Sequence, residues 1–175
     1  SVCLIGTADK EGNTNLAIFS SIVHIGANPP LICFIMRPDS VERHTLSNIL
    51  ETGVYTINHI NEHIYRQAHQ TSARYPKDIS EFNATGLAKE YKNDFSAPFV
   101  KESAIQIAVK FKERLNLTIN NTVMIIGMID QLYFPNNCLE PVGYLDIEKA
   151  GTISCTGLDS YHTGQRLERL NYAKP

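Results

Sequence analysis

The sequence lacks the features of a membrane protein and of a nucleic-acid-binding protein. No apolar run approaches the roughly 18 to 20 residues of a membrane span. Charge is nearly balanced, with 16 Lys and Arg against 18 Asp and Glu and a formal net charge of -2. Long-range attraction to nucleic acid or to an anionic membrane is therefore not expected. The 175 residues, of which 43% are apolar and 19% charged, predict one globular domain over 1–175.

Cysteine is scarce, and no two cysteines have CxxC spacing. The four residues are Cys3, Cys33, Cys138 and Cys155, and three of them lie in or beside apolar runs. This pattern predicts reduced, mostly buried thiols of a cytoplasmic protein. The first residue is Ser1 rather than Met, and a strand-like run follows at once. We therefore expect the natural termini to lie beyond the ends of this sequence.

Several motifs of ligand and metal sites are also missing. The chain contains no GxGxxG and no GxxxxGK[ST], so neither a Rossmann dinucleotide site nor a P-loop is supported. His59 and His63 have i,i+4 spacing and His69 follows, but there is no HExxH and no obvious third ligand, so no metal site is predicted. No order of Ser, His and Asp residues stands out, and catalytic residues stay unassigned.

Strand-like runs occur along the chain and predict a mainly β fold. A turn at 9–13, in which Gly12 can take a positive φ, joins two of these runs. From residue 105, Ile, Ile, Val and Phe alternate with polar residues, as in a half-buried strand. Long strand–helix alternation is absent, so a closed or nearly closed antiparallel barrel with peripheral helices fits better than a parallel sheet. The predicted strands cover 2–8, 14–24, 31–37, 54–58, 105–111 and 123–134.

Helices are predicted between and after these strands. Asp39 or Ser40 can cap the first helix, with Glu42 completing a capping box. Its apolar stripe would be Leu46, Ile49 and Leu50, its polar side His44, Asn48 and Glu51, and its end Gly53. A second helix is predicted over 62–71, a helical turn over 146–150, and a short helix within 160–170 that carries Arg166 and Arg169.

One polar cluster follows the third strand and could hold a phosphate. Arg37 offers a rigid fork of donors, and His44, Thr45 and Asn48 follow on the first helix. A strand-to-helix junction with such residues suits a phosphate dianion. The alternative is a solvated polar helix face.

A second group of polar residues lies in an otherwise apolar strand. Asn15, Ser20 and Ser21 need hydrogen-bond partners if they are buried. Those partners could be backbone groups or the heteroatoms of a planar ring. Near the end of the chain, Tyr161 and His162 with the following arginines could form a lid, or belong to a helix docked on the barrel.

Taken together, these segments resemble the flavin reductase-like family of FMN-binding split barrels, of which flavoredoxin is one type. The resemblance covers nearly all of 2–172. The segments, in chain order, are GNTNLAIFSS followed by PPL, then RPDSVERHTLSNI, an Ile-Asn strand end, HQTSARYPKDISEFNATGL and GLDSY.

This resemblance implies a six-stranded antiparallel Greek-key split barrel with peripheral helices, which forms a homodimer and binds FMN near the dimer interface. Asn15, Ser20 and Ser21 would line the isoalloxazine and ribityl chain. Arg37, His44, Thr45 and Asn48 would take the phosphate. The loop 72–82 would close near the ring.

The implied function is that of an FMN-dependent oxidoreductase. It would take hydride from NADH or NADPH and pass electrons to free flavin or to a redox protein. A flat ring, a polar tail and a dianionic end suit a barrel wall with sparse Asn and Ser that ends at an Arg/His/Thr cluster. Two alternatives are an FMN-carrying electron-transfer protein that is not an enzyme, and a split barrel that binds another small ligand, such as haem, or none.

Overall fold

The structure is a computed structural model that describes residues 1–38 and 40–174. Its strands are β1 Cys3–Ala8, β2 Thr14–Phe19, β3 Ile22–Ala27, β4 Pro30–Met36, β5 Val54–His59, β6 Lys89–Glu90, β7 Phe99–Val100, β8 Gln106–Leu117, β9 Thr122–Tyr133, β10 Ile153–Thr156 and β11 Ser160–Thr163. Its α-helices are α1 His44–Thr52, α2 Tyr65–Gln70 and α3 Glu81–Thr85, and a 3₁₀ turn covers Asn136–Cys138.

Seven strands form one antiparallel sheet in the order β2-β1-β5-β8-β9-β4-β3. The two end strands, β2 and β3, are consecutive in the chain, so the sheet curls and brings its ends together. Two small two-stranded sheets, β6-β7 and β10-β11, lie outside the main sheet. The mainly β antiparallel prediction is confirmed, with one more strand in the main sheet than the predicted six.

The extra strand arises at Ser20 and Ser21, where the predicted strand 14–24 divides into β2 and β3. The Ser21 hydroxyl donates to the Ile35 carbonyl at 2.9 Å and accepts from the Ile35 N–H at 3.2 Å. The Ser21 side chain therefore makes the two hydrogen bonds to Ile35 that a backbone would make in a regular strand pair. The backbone pairing is interrupted at this point, and β2 and β3 are separate strands. Beyond the break, Val23 and Ile25 of β3 are exposed.

Helix α1 begins later than predicted. Its N-cap is Arg43, whose guanidinium does not cap the helix but donates to the Pro38 carbonyl at 3.3 Å from Nε and 3.2 Å from Nη2. The predicted cap at Ser40 is wrong, because Ser40 lies in a turn before the helix, and Glu42 consequently precedes the first turn. The alternative cap, Asp39, lies outside the described residues.

The faces of α1 also differ from the prediction, although its end does not. Leu46 and Ile49 are buried as expected, but Leu50 is exposed and Asn48 is buried. Asn48 is tolerated there because it finds a polar partner on β1, which a helical-wheel argument cannot show. Gly53 ends the helix at φ 74° and donates its N–H to the Ile49 carbonyl, as predicted.

The C-terminal part of the chain departs most from the sequence prediction. The helix expected within 160–170 is absent: β11 pairs with β10 instead, and 164–174 form neither helix nor strand. Arg166 and Arg169 are held by side-chain contacts, with Arg166 3.3 Å from Asp146 and Arg169 2.6 Å from Glu140. The helical turn predicted over 146–150 is present as a single turn, closed by the Ala150 N–H and the Asp146 carbonyl at 3.2 Å, and α2 is shorter than the predicted 62–71.

Two main apolar clusters stabilise this arrangement. One is centred on side chains such as Ile5, Phe34, Tyr55 and Ile125 of the main sheet. The other joins β1 and β2 to α2 and α3, and includes Leu4, Leu16 and Phe82. All four cysteines are unpaired, and only Cys155 is not fully buried. Within 1–38 and 40–174, no helix is both long enough and apolar enough to cross a membrane.

Candidate functional site

The junction between β4 and α1 concentrates positive charge and hydrogen-bond donors. Arg37 follows β4 and is exposed, while Arg43 fixes the intervening loop through the Pro38 carbonyl. His44 and Thr45 occupy the first turn of α1, where the helix presents N–H groups and the positive end of its dipole. This combination of guanidinium, imidazole, hydroxyl and helix N-terminus is suited to an anion.

Two buried side-chain pairs attach α1 to the edge of the sheet. Asn15 of β2 donates its amide to the Thr45 hydroxyl at 2.9 Å, and Asn48 donates to the Thr7 hydroxyl of β1 at 3.1 Å. All four residues are less than 9% exposed. The pairs satisfy groups that would otherwise be costly to bury, and they fix the orientation of the first turn of α1.

A narrow polar cavity of about 10 Å³, enough for no more than one water molecule, lies beside these pairs, and three of the predicted site residues line it. Asn15, His44 and Asn48 line it, and Thr45 contacts it through Asn15. The rest of the wall comes from the β1–β2 turn, the start of β2, the loop before α3 and the start of α3, with Asp9, Thr14, Lys77 and Glu81 respectively. The structure therefore brings Asn15, His44, Thr45 and Asn48 together.

The other predicted residues are placed differently. Arg37 and Ser20 are exposed and are not part of the cavity wall. The Ser21 hydroxyl is engaged on both sides by the backbone of Ile35. The sequence analysis offered backbone groups or the heteroatoms of a planar ring as partners of Ser21, and the structure shows a backbone partner.

Glu81 is a residue of this site that the sequence prediction missed. Its Oε2 accepts from the Leu16 N–H at 2.8 Å, and its side chain is only 6% exposed. Burial raises the pKa of this carboxyl, while hydrogen bonds from the Leu16 and Glu81 N–H groups and the nearby His44 act in the opposite direction. The available signal was Ser80-Glu81 before an apolar residue, which is typical of the start of a helix.

The loop 72–80 is attached to β2 next to the cavity. The Thr14 and Ser80 hydroxyls lie 2.8 Å apart, and the Glu81 contact with Leu16 follows directly. At the other end of the loop, Gln70 donates to the Tyr75 hydroxyl at 2.9 Å. The loop is thus fixed at both ends, while most of its side chains are exposed.

The histidines considered as metal ligands do not form a ligand cluster in the described chain. No group of three or more His, Cys, Asp or Glu side chains there could hold a metal ion. His59 is bound to the Thr152 hydroxyl at 3.0 Å, and His69 contacts the Tyr161 hydroxyl at 2.9 Å. The i,i+4 spacing of His59 and His63 has no helical meaning, since His59 ends β5 and α2 begins at Tyr65.

The fold is that of a flavin reductase-like split barrel. Residues 1–152 match the flavin reductase like domain family, and the chain belongs to that family. A candidate flavin reductase with a split barrel domain from Shewanella frigidimarina NCIMB 400 is 54% identical in sequence, with a TM-score of 0.95 over 99% of this chain and 86% of that one. The expected split barrel and the family resemblance are confirmed.

More distant structures share the same fold. Nitrilotriacetate monooxygenase component B from Bacillus cereus has a TM-score of 0.85 at 24% identity, over 97% of this chain and 86% of that one. Flavoredoxin of Desulfovibrio vulgaris (Miyazaki F) has a TM-score of 0.84 at 21% identity, over 98% and 90%. Curated relatives from Aquifex aeolicus and Halalkalibacterium halodurans are 27% and 28% identical, and the chain spans about half of their length, 55% and 53%.

Proposed function

We propose that this protein is an FMN-dependent oxidoreductase of the flavin reductase type, which transfers hydride from NADH or NADPH to flavin. The observation that carries the proposal is the β4–α1 junction, where the exposed Arg37 follows β4 and His44 and Thr45 lie in the first turn of a helix that buried amides hold in place. Membership of the flavin reductase-like family and the 54% identical split barrel support the assignment.

The donor set fits the parts of FMN that need protein contacts. A phosphate dianion requires compensating charge, which the exposed Arg37 and the helix N-terminus supply together with the Thr45 hydroxyl. Because Thr45 accepts from Asn15, its own proton is available for another acceptor. Asn48 and Asn15 would hold the polar part of the cofactor near the sheet, and Ser20 lies exposed at the end of β2.

When bound, FMN supplies the redox chemistry, and the protein's residues position the reactants and exclude water. No side-chain acid or base has to move a proton for hydride transfer itself, which agrees with the absence of a recognisable catalytic triad in the sequence. Loop 72–80, fixed to β2 by Thr14 and Glu81, would shield one side of the bound ring.

Reduction of bound flavin by nicotinamide tests the proposal directly. Purified protein loaded with FMN is mixed with NADH or NADPH under anaerobic conditions in a stopped-flow instrument. We expect bleaching of the flavin absorption at a rate that saturates with nicotinamide concentration. If the protein binds FMN but neither nicotinamide bleaches the flavin absorption, it would instead be an FMN-carrying electron-transfer protein. This is the second candidate function, and the protein shares its fold with flavoredoxin.

We also propose that the protein acts as a cytoplasmic homodimer. The unpaired cysteines support a reducing compartment. For the dimer, the support is the exposed apolar pair Val23 and Ile25 on β3, an end strand of the main sheet. Sedimentation equilibrium at micromolar concentration with FMN bound should give twice the chain mass. A purely monomeric protein under those conditions would contradict the dimer.

A further inference from the structure

A cleft separate from the candidate flavin site lies where the first residue of β8, Gln106, pairs with the last residue of β9, Tyr133. It has a volume of about 410 Å³, within the range of sites for small molecules. Lys101, Ser103 and Ala104 form one side, and Leu132 and Tyr133 at the end of β9 form another with the following Phe134. The cleft thus combines an apolar, partly aromatic wall with a polar and cationic one.

Ser103 is the first sign that the cleft takes a ligand. The residue is 5% exposed, and its hydroxyl has no hydrogen-bond partner in the described chain. Leaving a buried hydroxyl unpaired costs on the order of 1 to 3 kcal/mol, so such groups are rare. Among the residues that the structure describes, only Tyr55 has another such side-chain atom. Ser103 lines the cleft, and a hydroxyl proton turns toward whichever acceptor is nearby, so an anion bound in the cleft would give this group a partner.

The charge of the cleft is the second sign. Lys92 is already compensated, since its Nζ lies 3.2 Å from Glu90 and 4.9 Å from the centre of the Tyr133 ring. Lys101 is exposed, and within the described residues it has no ion-pair partner. One ammonium group is therefore available to pair with an anion beside the unpaired hydroxyl.

The floor of the cleft is rigid, as a preformed site requires. The Val100 carbonyl accepts from Gln106 Nε2 at 2.6 Å and from the Ser103 N–H at 3.0 Å. The Val100 N–H in turn donates to the buried Asn58 side chain at 3.0 Å. These contacts hold Ser103 in one position through a buried network, so binding would cost little ordering of the protein.

Strand register separates this cleft from the proposed flavin site. Gln106 pairs with Tyr133 at the cleft, whereas Met36 pairs with Val123 at the opposite end of β9, just before Arg37. Ten residues of strand correspond to roughly 30 Å. A ligand in the cleft would therefore not contact the Arg37 junction.

We propose that this cleft is a second binding site, for a small organic anion with a flat apolar body. Its carboxylate would pair with the Lys101 ammonium and accept a hydrogen bond from the Ser103 hydroxyl. Its apolar body would pack on Leu132 and Phe134. The proposal goes beyond the flavin reductase function and does not depend on it.

Binding of benzoate to the FMN-loaded protein tests the site, with isothermal titration calorimetry as the readout and FMN affinity measured in parallel. We expect saturable binding in the millimolar range or tighter, weakened about tenfold for neutral benzamide. Lys101→Gln and Ser103→Ala should each weaken benzoate binding about three- to tenfold. The matched control Lys112→Gln, an exposed lysine on β8, should bind benzoate like the wild type.

The variants also separate a ligand site from a structural role. Ser103→Ala removes a hydroxyl that has no partner, so its melting temperature should equal or exceed that of the wild type while benzoate binding falls. FMN affinity should be the same in all variants. Absence of saturable benzoate binding, or binding that neither Lys101→Gln nor Ser103→Ala weakens, would overturn the proposal. Equal affinity for inorganic phosphate and benzoate would also overturn it, because the apolar wall would then contribute nothing.

Discussion

The Tyr161 hydroxyl and Nδ1 of His69 lie 2.9 Å apart, which joins β11 to α2 directly before the loop 72–80. The Tyr161 ring also packs on Tyr65, with the ring centres 5.5 Å apart. The two segments that the sequence suggested as gates, 72–82 and the region of Tyr161 and His162, are therefore linked through α2. Movement of one would be transmitted to the other.

This link predicts that Tyr161→Phe alters use of the nicotinamide more than binding of FMN. The variant keeps the ring packing on Tyr65 but loses the hydrogen bond to His69. We expect the KM for nicotinamide or kcat to change by about two- to fivefold, with FMN affinity within experimental error of the wild type. The control is Tyr172→Phe, at a position that is 91% exposed. Wild-type steady-state kinetics in a folded Tyr161→Phe variant would show that this contact has no gating role.

Arg37→Ala should distinguish the phosphate from the rest of the cofactor. Charge-assisted hydrogen bonds are worth on the order of 1.5 to 3 kcal/mol, so FMN affinity should fall about tenfold or more. Riboflavin has no phosphate, and its affinity should stay nearly unchanged. Fluorescence titration of both ligands measures the difference, with Lys112→Ala as a control. Equal losses for FMN and riboflavin would remove Arg37 from the phosphate site.

His59 predicts an acid-sensitive contribution to stability. Burial, followed by the positive charge of the N-terminus, lowers its pKa from 6.5 to about 4. The folded state therefore binds fewer protons than the unfolded state between these values, and stability falls as pH decreases from about 6.5 to about 4. The shift corresponds to at most about 3 kcal/mol.

Urea unfolding between pH 7 and pH 4 would measure this effect. His59→Asn places an amide near the position of Nδ1, which can still contact Thr152, but it does not titrate. Its stability should depend less on pH than that of the wild type. Glu81, whose burial raises its pKa, contributes with the opposite sign, so only the difference between the two proteins isolates His59. If the free energy of unfolding changes with pH equally in the wild type and in His59→Asn, His59 does not cause the acid sensitivity.

Tyr55→Phe should stabilise the protein. The Tyr55 hydroxyl is buried without a partner among the described residues, and burial raises the pKa of the phenol. Removing it should increase the free energy of unfolding by about 1 kcal/mol. A Cβ at Gly127 would collide with this hydroxyl, so the space around it is already filled.

Tyr133→Phe provides the matched comparison for Tyr55→Phe. The Tyr133 hydroxyl accepts from Asn93 at 2.9 Å and donates to Gln131. Its removal should therefore lower the free energy of unfolding by about 1 kcal/mol. Chemical denaturation of both variants measures the sign of the change in the free energy of unfolding for each. A loss in Tyr55→Phe as large as that in Tyr133→Phe would mean that the Tyr55 hydroxyl is satisfied in solution.

Local sequence patterns were sufficient for most strands and for the residues that end elements. Alternation predicted β8, and Gly12 and Gly53 take the positive φ values, 87° and 74°, that their positions in a turn and at a helix end require. They were insufficient where a long-range side-chain contact decides the outcome. Ser21 divides a strand because Ile35 is its partner, and α1 begins at His44, directly after Arg43, which contacts Pro38.

A mainly β fold with an Arg- and His-bearing junction between strand and helix could be predicted from local patterns, because alternation, turn residues and charge are local properties. No local pattern could predict that Asn15 contacts Thr45, that Asn48 is buried against Thr7, or that Glu81 lines the same cavity. Tertiary packing also pairs 160–163 with β10 as a strand, and the short helix expected around Arg166 and Arg169 does not form. These outcomes depend on which elements pack together, and a buried polar group is stable only where the fold brings it a partner.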